Sequence, residues 1–136
     1  MQFLDLMQNS PLVFDEKQAF QALEAVIRSD SSAITDFAST PDGKAFLLGV
    51  FGGSPFLTRA SEIMPKTLEH ILVEGPEASL KPALALFTDA TNLEDRNLFM
   101  SALRKARLAT ALTVGLADLG GVWKTLTATR ALSAAA

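Results

Sequence analysis

The only histidine of the chain, His70, is the residue with the broadest chemical capability. It lies in the run Glu69-His70-Ile71, within a predicted helix, and no cysteine or second histidine accompanies it. Because metal sites built on imidazole usually gather several such ligands, we favour a boundary or surface histidine. A Ser–His–acid triad would need this same ring, and no nucleophile-elbow motif is present. A small helical enzyme that uses His70 remains a weaker alternative.

The run Gly52-Gly53-Ser54 has the look of a phosphate-binding or nucleotidyltransferase element. A phosphate loop would need a lysine and a hydroxyl residue at the end of a strand–loop–helix unit. Nucleotidyl transfer would need paired aspartates shortly after the Gly-Ser pair, to hold divalent metal. Here Ser54 is followed by Pro55-Phe56-Leu57, which carries no carboxylate. We therefore predict a tight corner between two helices, with Ser54 as an N-cap.

Two further features could contact a partner. Arg104, Lys105 and Arg107 form a small basic cluster that could meet a phosphate or an acidic protein. We favour instead the solvated face of a long helix, paired with nearby acidic side chains. Trp123, the sole tryptophan, could anchor a partner, but packing of a final helix is the favoured interpretation. We thus predict no catalytic, cofactor-binding or metal-binding residue.

Composition restricts the class of protein. The 136 residues are 49% hydrophobic and 20% charged, with a net charge of −3. A chain of this length suffices for one domain, and an acidic chain argues against nonspecific nucleic-acid binding. The absence of cysteine excludes disulfides and thiolate chemistry and fits a reducing, cytoplasmic compartment. We predict no signal peptide in Met1–Asn9, and the uncharged run Leu108–Ala117 is far shorter than the ~20 residues of a membrane span.

The apolar period near 3.6 residues predicts an all-α fold: a single bundle-like domain over residues 1–136, with seven or eight helices and a long central helix near 92–119. Thr91 and Glu94 have the spacing of a capping box for that helix. Its second half, Leu108–Ala117, should be buried on all sides because it carries no charge. Gly120 and Gly121 should end it.

Shorter helices precede the long one. Met1–Asn9 is predicted as a short helix or a frayed arm. A helix from Asp15 to about Arg28 should bury a stripe of Phe20, Leu23, Val26 and Ile27. A short helix follows at Ala33–Ala38. Prolines at likely first positions then predict three more helices: Pro41–Phe51, Pro55–Ile63 and Pro65–Val73. A further helix is predicted at Pro76–Phe87. Pro82 predicts a kink in this helix or a later start near Leu80.

The C-terminal pattern continues without a stop signal. Lys124–Ala136 reads as helix, and its final residues carry no glycine, proline or basic cap. We therefore expect the chain to be an N-terminal fragment of a larger multidomain protein, and an apolar face bared by truncation could drive self-association.

Three blocks of sequence resemble the bacterial glutamine-synthetase adenylyltransferase/adenylyl-removing enzyme family. Phe51–Leu57 is similar to a corner with a small-Ser-Pro-Phe-Leu run. Leu103–Arg107 resembles a Leu-Arg-basic run on a long helix, although Ala106 departs from the usual aromatic or basic residue. Ala117–Trp123, followed by Thr127, Leu132 and Ser133, resembles a helix–break–helix of the α-proteobacterial members.

The resemblance implies a role within a bifunctional nucleotidyltransferase. Members of the family transfer AMP to a glutamine-synthetase tyrosine and remove it by phosphorolysis, in the regulation of nitrogen metabolism. The implied partners are glutamine synthetase and a PII-type signal protein, with Mg²⁺ and ATP or ADP as cofactors of the parent enzyme. The catalytic Gly-Ser-x-Asp-x-Asp element of the family has no counterpart here, so we expect an inactive helical scaffold. The alternative is a stand-alone helical protein-interaction module.

Overall fold

The described part of the chain is entirely helical. A computed structural model describes residues 2–8, 10–28 and 31–122, and these contain eight α-helices and no strand, which confirms the all-α prediction. None of the described helices is long and apolar enough to cross a bilayer. The helices are α1 (Phe3–Leu6), α2 (Glu16–Ile27), α3 (Ser32–Ser39), α4 (Pro41–Gly53), α5 (Pro55–Ile63), α6 (Pro65–Glu74), α7 (Pro76–Thr91) and α8 (Arg96–Leu119).

Proline and hydroxyl residues start the middle helices, as predicted. The Thr40 hydroxyl accepts a hydrogen bond from the Gly43 N–H at 3.1 Å, before α4. The Ser54 hydroxyl accepts one from the Leu57 N–H at 3.2 Å, before α5. Each bond satisfies an amide that has no partner within the helix. Gly52-Gly53-Ser54 is therefore a helix–helix corner, as the sequence indicated.

The long helix begins later than predicted. Thr91 is the last residue of α7, and its hydroxyl donates to the Thr88 carbonyl at 2.7 Å. The predicted capping box with Glu94 is therefore wrong. Asp95 caps α8 instead, since its Oδ1 accepts from the Leu98 N–H at 3.0 Å. Aspartate is at least as good an N-cap as threonine, and α7 already uses Thr91.

The predicted end of α8 is confirmed. Gly121 has a φ of 67°, and the Val122 N–H donates to the Ala117 carbonyl at 2.9 Å. The Gly121 N–H also donates to the Asp118 carbonyl, at 3.1 Å. This is the Schellman arrangement, which satisfies the last carbonyls of a helix and favours glycine at the left-handed position.

Two other predictions need correction. In α2 the buried residues are Ala19, Ala22, Leu23 and Val26, whereas Phe20 is 46% exposed, with the Lys44 ammonium 5.6 Å from its ring centroid. The small alanines let α2 lie close to α4, with which it packs most extensively. In α7 the helix is continuous from Pro76 through Pro82, so a later start near Leu80 is wrong. Pro82 is exposed, where its ring does not disturb the core.

The uncharged half of α8 lies at the centre of the core, as predicted. Leu112 and Leu116 are fully buried among residues of α1 to α6. Ala109, Val114 and Ala117 are also at most 3% exposed. Helices α5, α6 and α7 all contact α8. The burial of this helix on several sides explains why no charged residue occurs between Leu108 and Ala117.

The short α1 is a structural element rather than a frayed arm. Phe3 is fully buried, and its ring centroid lies 5.1 Å from that of Phe46 and 6.2 Å from that of Phe37. The ring also lies against Gly120, and the Gln8 N–H donates to the Gly120 carbonyl at 2.7 Å. The N-terminal segment therefore fastens the end of α8 to the aromatic cluster of α3 and α4.

Replacement of this anchor should be costly. Phe3→Ala should lower the free energy of unfolding by about 3–5 kcal/mol, because a buried ring is lost and a cavity is left. The control is Phe14→Ala, at a phenylalanine that is 82% exposed, where a change within about 0.5 kcal/mol is expected. Urea unfolding followed by circular dichroism measures both values. Equal effects at the two positions would show that α1 does not anchor the fold.

Candidate functional site: the notch between α6 and α7

His70 forms a hydrogen bond that the sequence did not predict. Its Nδ1 lies 2.6 Å from the Ser79 hydroxyl oxygen, across the turn between α6 and α7. Ser79 is only 4% exposed, and its hydroxyl donates to the Gly75 carbonyl at 2.9 Å. Gly75 has a φ of 90°, a conformation that glycine adopts without steric cost. The turn therefore brings an imidazole from one helix onto a buried hydroxyl of the next.

The direction of these bonds decides what the pair can do. When the Ser79 hydroxyl donates its single proton to the Gly75 carbonyl, its oxygen can accept a hydrogen bond only from the tautomer of His70 that carries a proton on Nδ1. A histidine that activates a serine nucleophile does the reverse and accepts the hydroxyl proton. With the proton on Nδ1, the hydrogen bond between His70 and Ser79 links helices α6 and α7, and Nε2 of the ring is left as a hydrogen-bond acceptor.

A notch opens beside this link. It has a volume of about 320 Å³. Its polar groups are His70, Ser79, Lys66 and Thr67, and its remaining wall is apolar: Met64, Pro82, Ala83, Leu86 and Ala109. A shallower depression of about 400 Å³ shares Lys66 and His70 with it and adds Glu69, Val73 and Glu74. We refer to the first cavity as the α6–α7 notch.

The remaining candidates stay apart from the notch or outside the description. Arg104, Lys105 and Arg107 lie exposed on α8. Among the described residues the one ion pair joins Arg28 to Glu24, so the predicted pairing of the basic cluster with acidic neighbours is wrong. The three side chains extend into solvent, where a long side chain gains little from an ion pair. Trp123 lies outside the described residues.

The described residues do not assemble a metal site. No three histidine or carboxylate side chains in residues 2–8, 10–28 and 31–122 come together in a way that could hold a metal ion. The Mg²⁺ implied by the resemblance therefore finds no cluster of three such side chains among these residues. The expectation that none of its residues is catalytic or cofactor-binding stays a prediction.

The fold and the α6–α7 notch together define only a class of protein, an all-α segment with a small, partly polar cavity beside the turn between two helices. Comparison with known proteins shows what the chain is similar to. The chain is 31% identical over 133 residues to the bifunctional glutamine synthetase adenylyltransferase/adenylyl-removing enzyme of Xanthobacter autotrophicus, and the match covers 94% of this chain. Proteins of the same name from Rhodopseudomonas palustris and Bradyrhizobium diazoefficiens are 32% and 28% identical over 96 and 120 residues. The resemblance to the α-proteobacterial members of this family is therefore confirmed.

The match covers a small part of each relative. The chain spans 13% of the length of the Xanthobacter protein and 10% and 12% of the other two. No protein-family model matches the chain. No solved structure matches it either.

The link between His70 and Ser79 can be tested without any ligand. Ser79→Ala should lower the free energy of unfolding by about 1 kcal/mol, since the hydroxyl joins the imidazole to the Gly75 carbonyl. It should also shift the neutral ring of His70 from the Nδ1–H tautomer toward Nε2–H, because the acceptor of the Nδ1 proton is gone. Long-range ¹H–¹⁵N NMR spectra of the imidazole report the tautomer directly. An unchanged tautomer would show that Ser79 does not orient the ring.

Proposed function

We propose that this chain is a non-catalytic helical segment of a bifunctional glutamine-synthetase adenylyltransferase/adenylyl-removing enzyme. The observation that carries the proposal is the similarity through 94% of the chain to the Xanthobacter enzyme, at 31% identity. Four further relatives carry the same name. The stand-alone interaction module is not favoured, because every one of these matches is to a bifunctional enzyme about eight to ten times longer than the matched region.

The described side chains support a scaffold rather than a reaction centre. The one histidine is hydrogen-bonded to Ser79, whose hydroxyl also lies within hydrogen-bond distance of the Gly75 carbonyl. The buried surface of the domain is apolar apart from a few serine and threonine hydroxyls. A set of helices packed in this way can provide a firm surface against which another domain is positioned.

The proposal extends to position, partners and cofactors. In it the segment lies N-terminal to the first transferase domain and packs against it, in the cytoplasm. Glutamine synthetase is the substrate protein and a PII-type protein the regulator. Mg²⁺ and ATP or ADP bind elsewhere in the enzyme, where the family carries its paired aspartates.

A transplant experiment tests the proposal. The matched region of the Xanthobacter enzyme is deleted, or replaced by this chain, and AMP transfer to and removal from glutamine synthetase are measured. We expect the replacement to show both activities and the deletion to lose most of both. A replacement that carries Leu116→Asp, which places a charge at a fully buried position, should behave like the deletion.

The isolated chain completes the test. It should show no turnover with glutamine synthetase, ATP and Mg²⁺ at any concentration. Turnover by the isolated chain would overturn the non-catalytic role. A replacement no more active than the deletion would overturn its place in the enzyme.

A further inference from the structure

The second half of α8 lies in the core, whereas the first half packs mainly against α7 and is more exposed. Between Leu72 and Leu112, the buried hydrophobic residues among those described are all alanines, namely Ala83, Ala90, Ala106 and Ala109, and no large apolar side chain is buried there. Helix α7 packs chiefly on α8 and less extensively on α6. The end of α7 and the start of α8, residues 84–105, therefore pack mainly on each other and bury only small side chains. We refer to this pair as the α7–α8 arm.

One stripe of α8 runs from the core onto the arm. Its members recur every four or three residues, which places them on one side of a helix: Leu98, Ala102, Lys105, Ala109, Leu112 and Leu116. The last three are at most 1% exposed. In contrast, Leu98 is 59% exposed, Ala102 is half-buried and Lys105 is exposed. The surface that packs inside the body thus continues uncovered along the arm.

The charges of the arm are arranged in a self-complementary order. Glu94 and Asp95 lie at the start of α8, and Lys105 lies about three turns further along. Asp95 uses Oδ1 to cap the helix, which leaves its second carboxylate oxygen for another contact. A copy of the same helix in the opposite direction would present its basic end to this acidic end.

We propose that two copies of this chain pair through the arm, with the first halves of their α8 helices antiparallel about a two-fold axis level with residue 100. In this register Leu98 of one copy lies opposite Ala102 of the other, so a large side chain meets a small one. Asp95 of one copy lies opposite Lys105 of the other, and the symmetry makes each contact twice. The 4–3 spacing of the stripe suits such packing of two helices at a small angle.

A second copy fits this stripe better than an unrelated apolar surface would. A surface without charge would leave Asp95 and Lys105 unmatched at the edges of the contact. The antiparallel copy matches both of them and covers Leu98 at the same time. The pairing is independent of the scaffold role proposed above, because it requires only this chain.

Sedimentation equilibrium of the full chain over a dilution series tests the pairing. The unchanged chain should rise from 14.5 kDa toward twice that mass as its concentration increases. Leu98→Glu should keep the mass at that of the monomer, because it places a carboxylate where Ala102 would pack. The matched control is Met100→Glu, at a residue that is 45% exposed and about 200° around the helix from Leu98. It should leave the dimer unchanged, and circular dichroism should show the same helix content in all three proteins.

Charge variants test the register. Lys105→Glu should raise the dissociation constant of the dimer by about tenfold, since each copy would face Asp95 with a like charge. Arg107→Glu, at an exposed residue of the same helix outside the stripe, should leave it unchanged. Asp95→Asn added to Lys105→Glu should recover part of the loss, because asparagine also caps a helix and removes the repulsion.

The outcomes that overturn the proposal are distinct. A monomer at every concentration of the unchanged chain would show that no second copy covers the arm. A dimer that survives Leu98→Glu, or is lost equally in Met100→Glu, would place the contact elsewhere. Equal effects of Lys105→Glu and Arg107→Glu would contradict the register.

Discussion

The burial of the uncharged half of α8 is the constraint on which the rest of the structure depends. Helices α5, α6 and α7 contact this helix, and Leu112 and Leu116 lie inside the core. A charged side chain there would have to be paired or desolvated at a cost of several kcal/mol. The glycine pair that ends the helix also receives the N-terminal segment, through the ring of Phe3 and the amide of Gln8. The first and last described elements are thus joined at one point.

The same helix also separates the two surfaces of functional interest. Ala109 lies where α8 leaves the core, and it forms part of the wall of the α6–α7 notch. Beyond it toward the N-terminus, the arm carries exposed leucine and charged residues rather than a core. In the notch, the imidazole and hydroxyl hold two helices together.

Local signals in the sequence predicted most of the helix boundaries, because proline, hydroxyl caps and glycine act on their immediate neighbours. The contacts that depend on distant residues could not be predicted in this way. Phe3 is buried because α3, α4 and Gly120 surround it, and nothing within Met1–Asn9 indicates this. Glycine ordinarily weakens a helix, yet Gly49 is the residue over which the backbone of Pro11 crosses α4.

For the candidate site as well, local sequence signals could be recognised but contacts between helices could not be predicted. The family could be recognised from three short blocks, but Ser79 could not be identified as the partner of His70. Ser79 follows His70 by nine positions in the chain, and the turn at Gly75 brings the two side chains together. The start of α8 was misplaced because Thr91 and Asp95 both make good caps, and only the length of α7 decides between them.

Native-state hydrogen exchange of the backbone amides, measured on a sample dilute enough to be monomeric, tests the central claim most directly. If the uncharged half of α8 is the centre of the fold, the amides of residues 109–117 should exchange only through global unfolding. Those of residues 100–105 should exchange through smaller, local openings of the arm. Equal protection in the two halves, or stronger protection in the arm, would contradict the account.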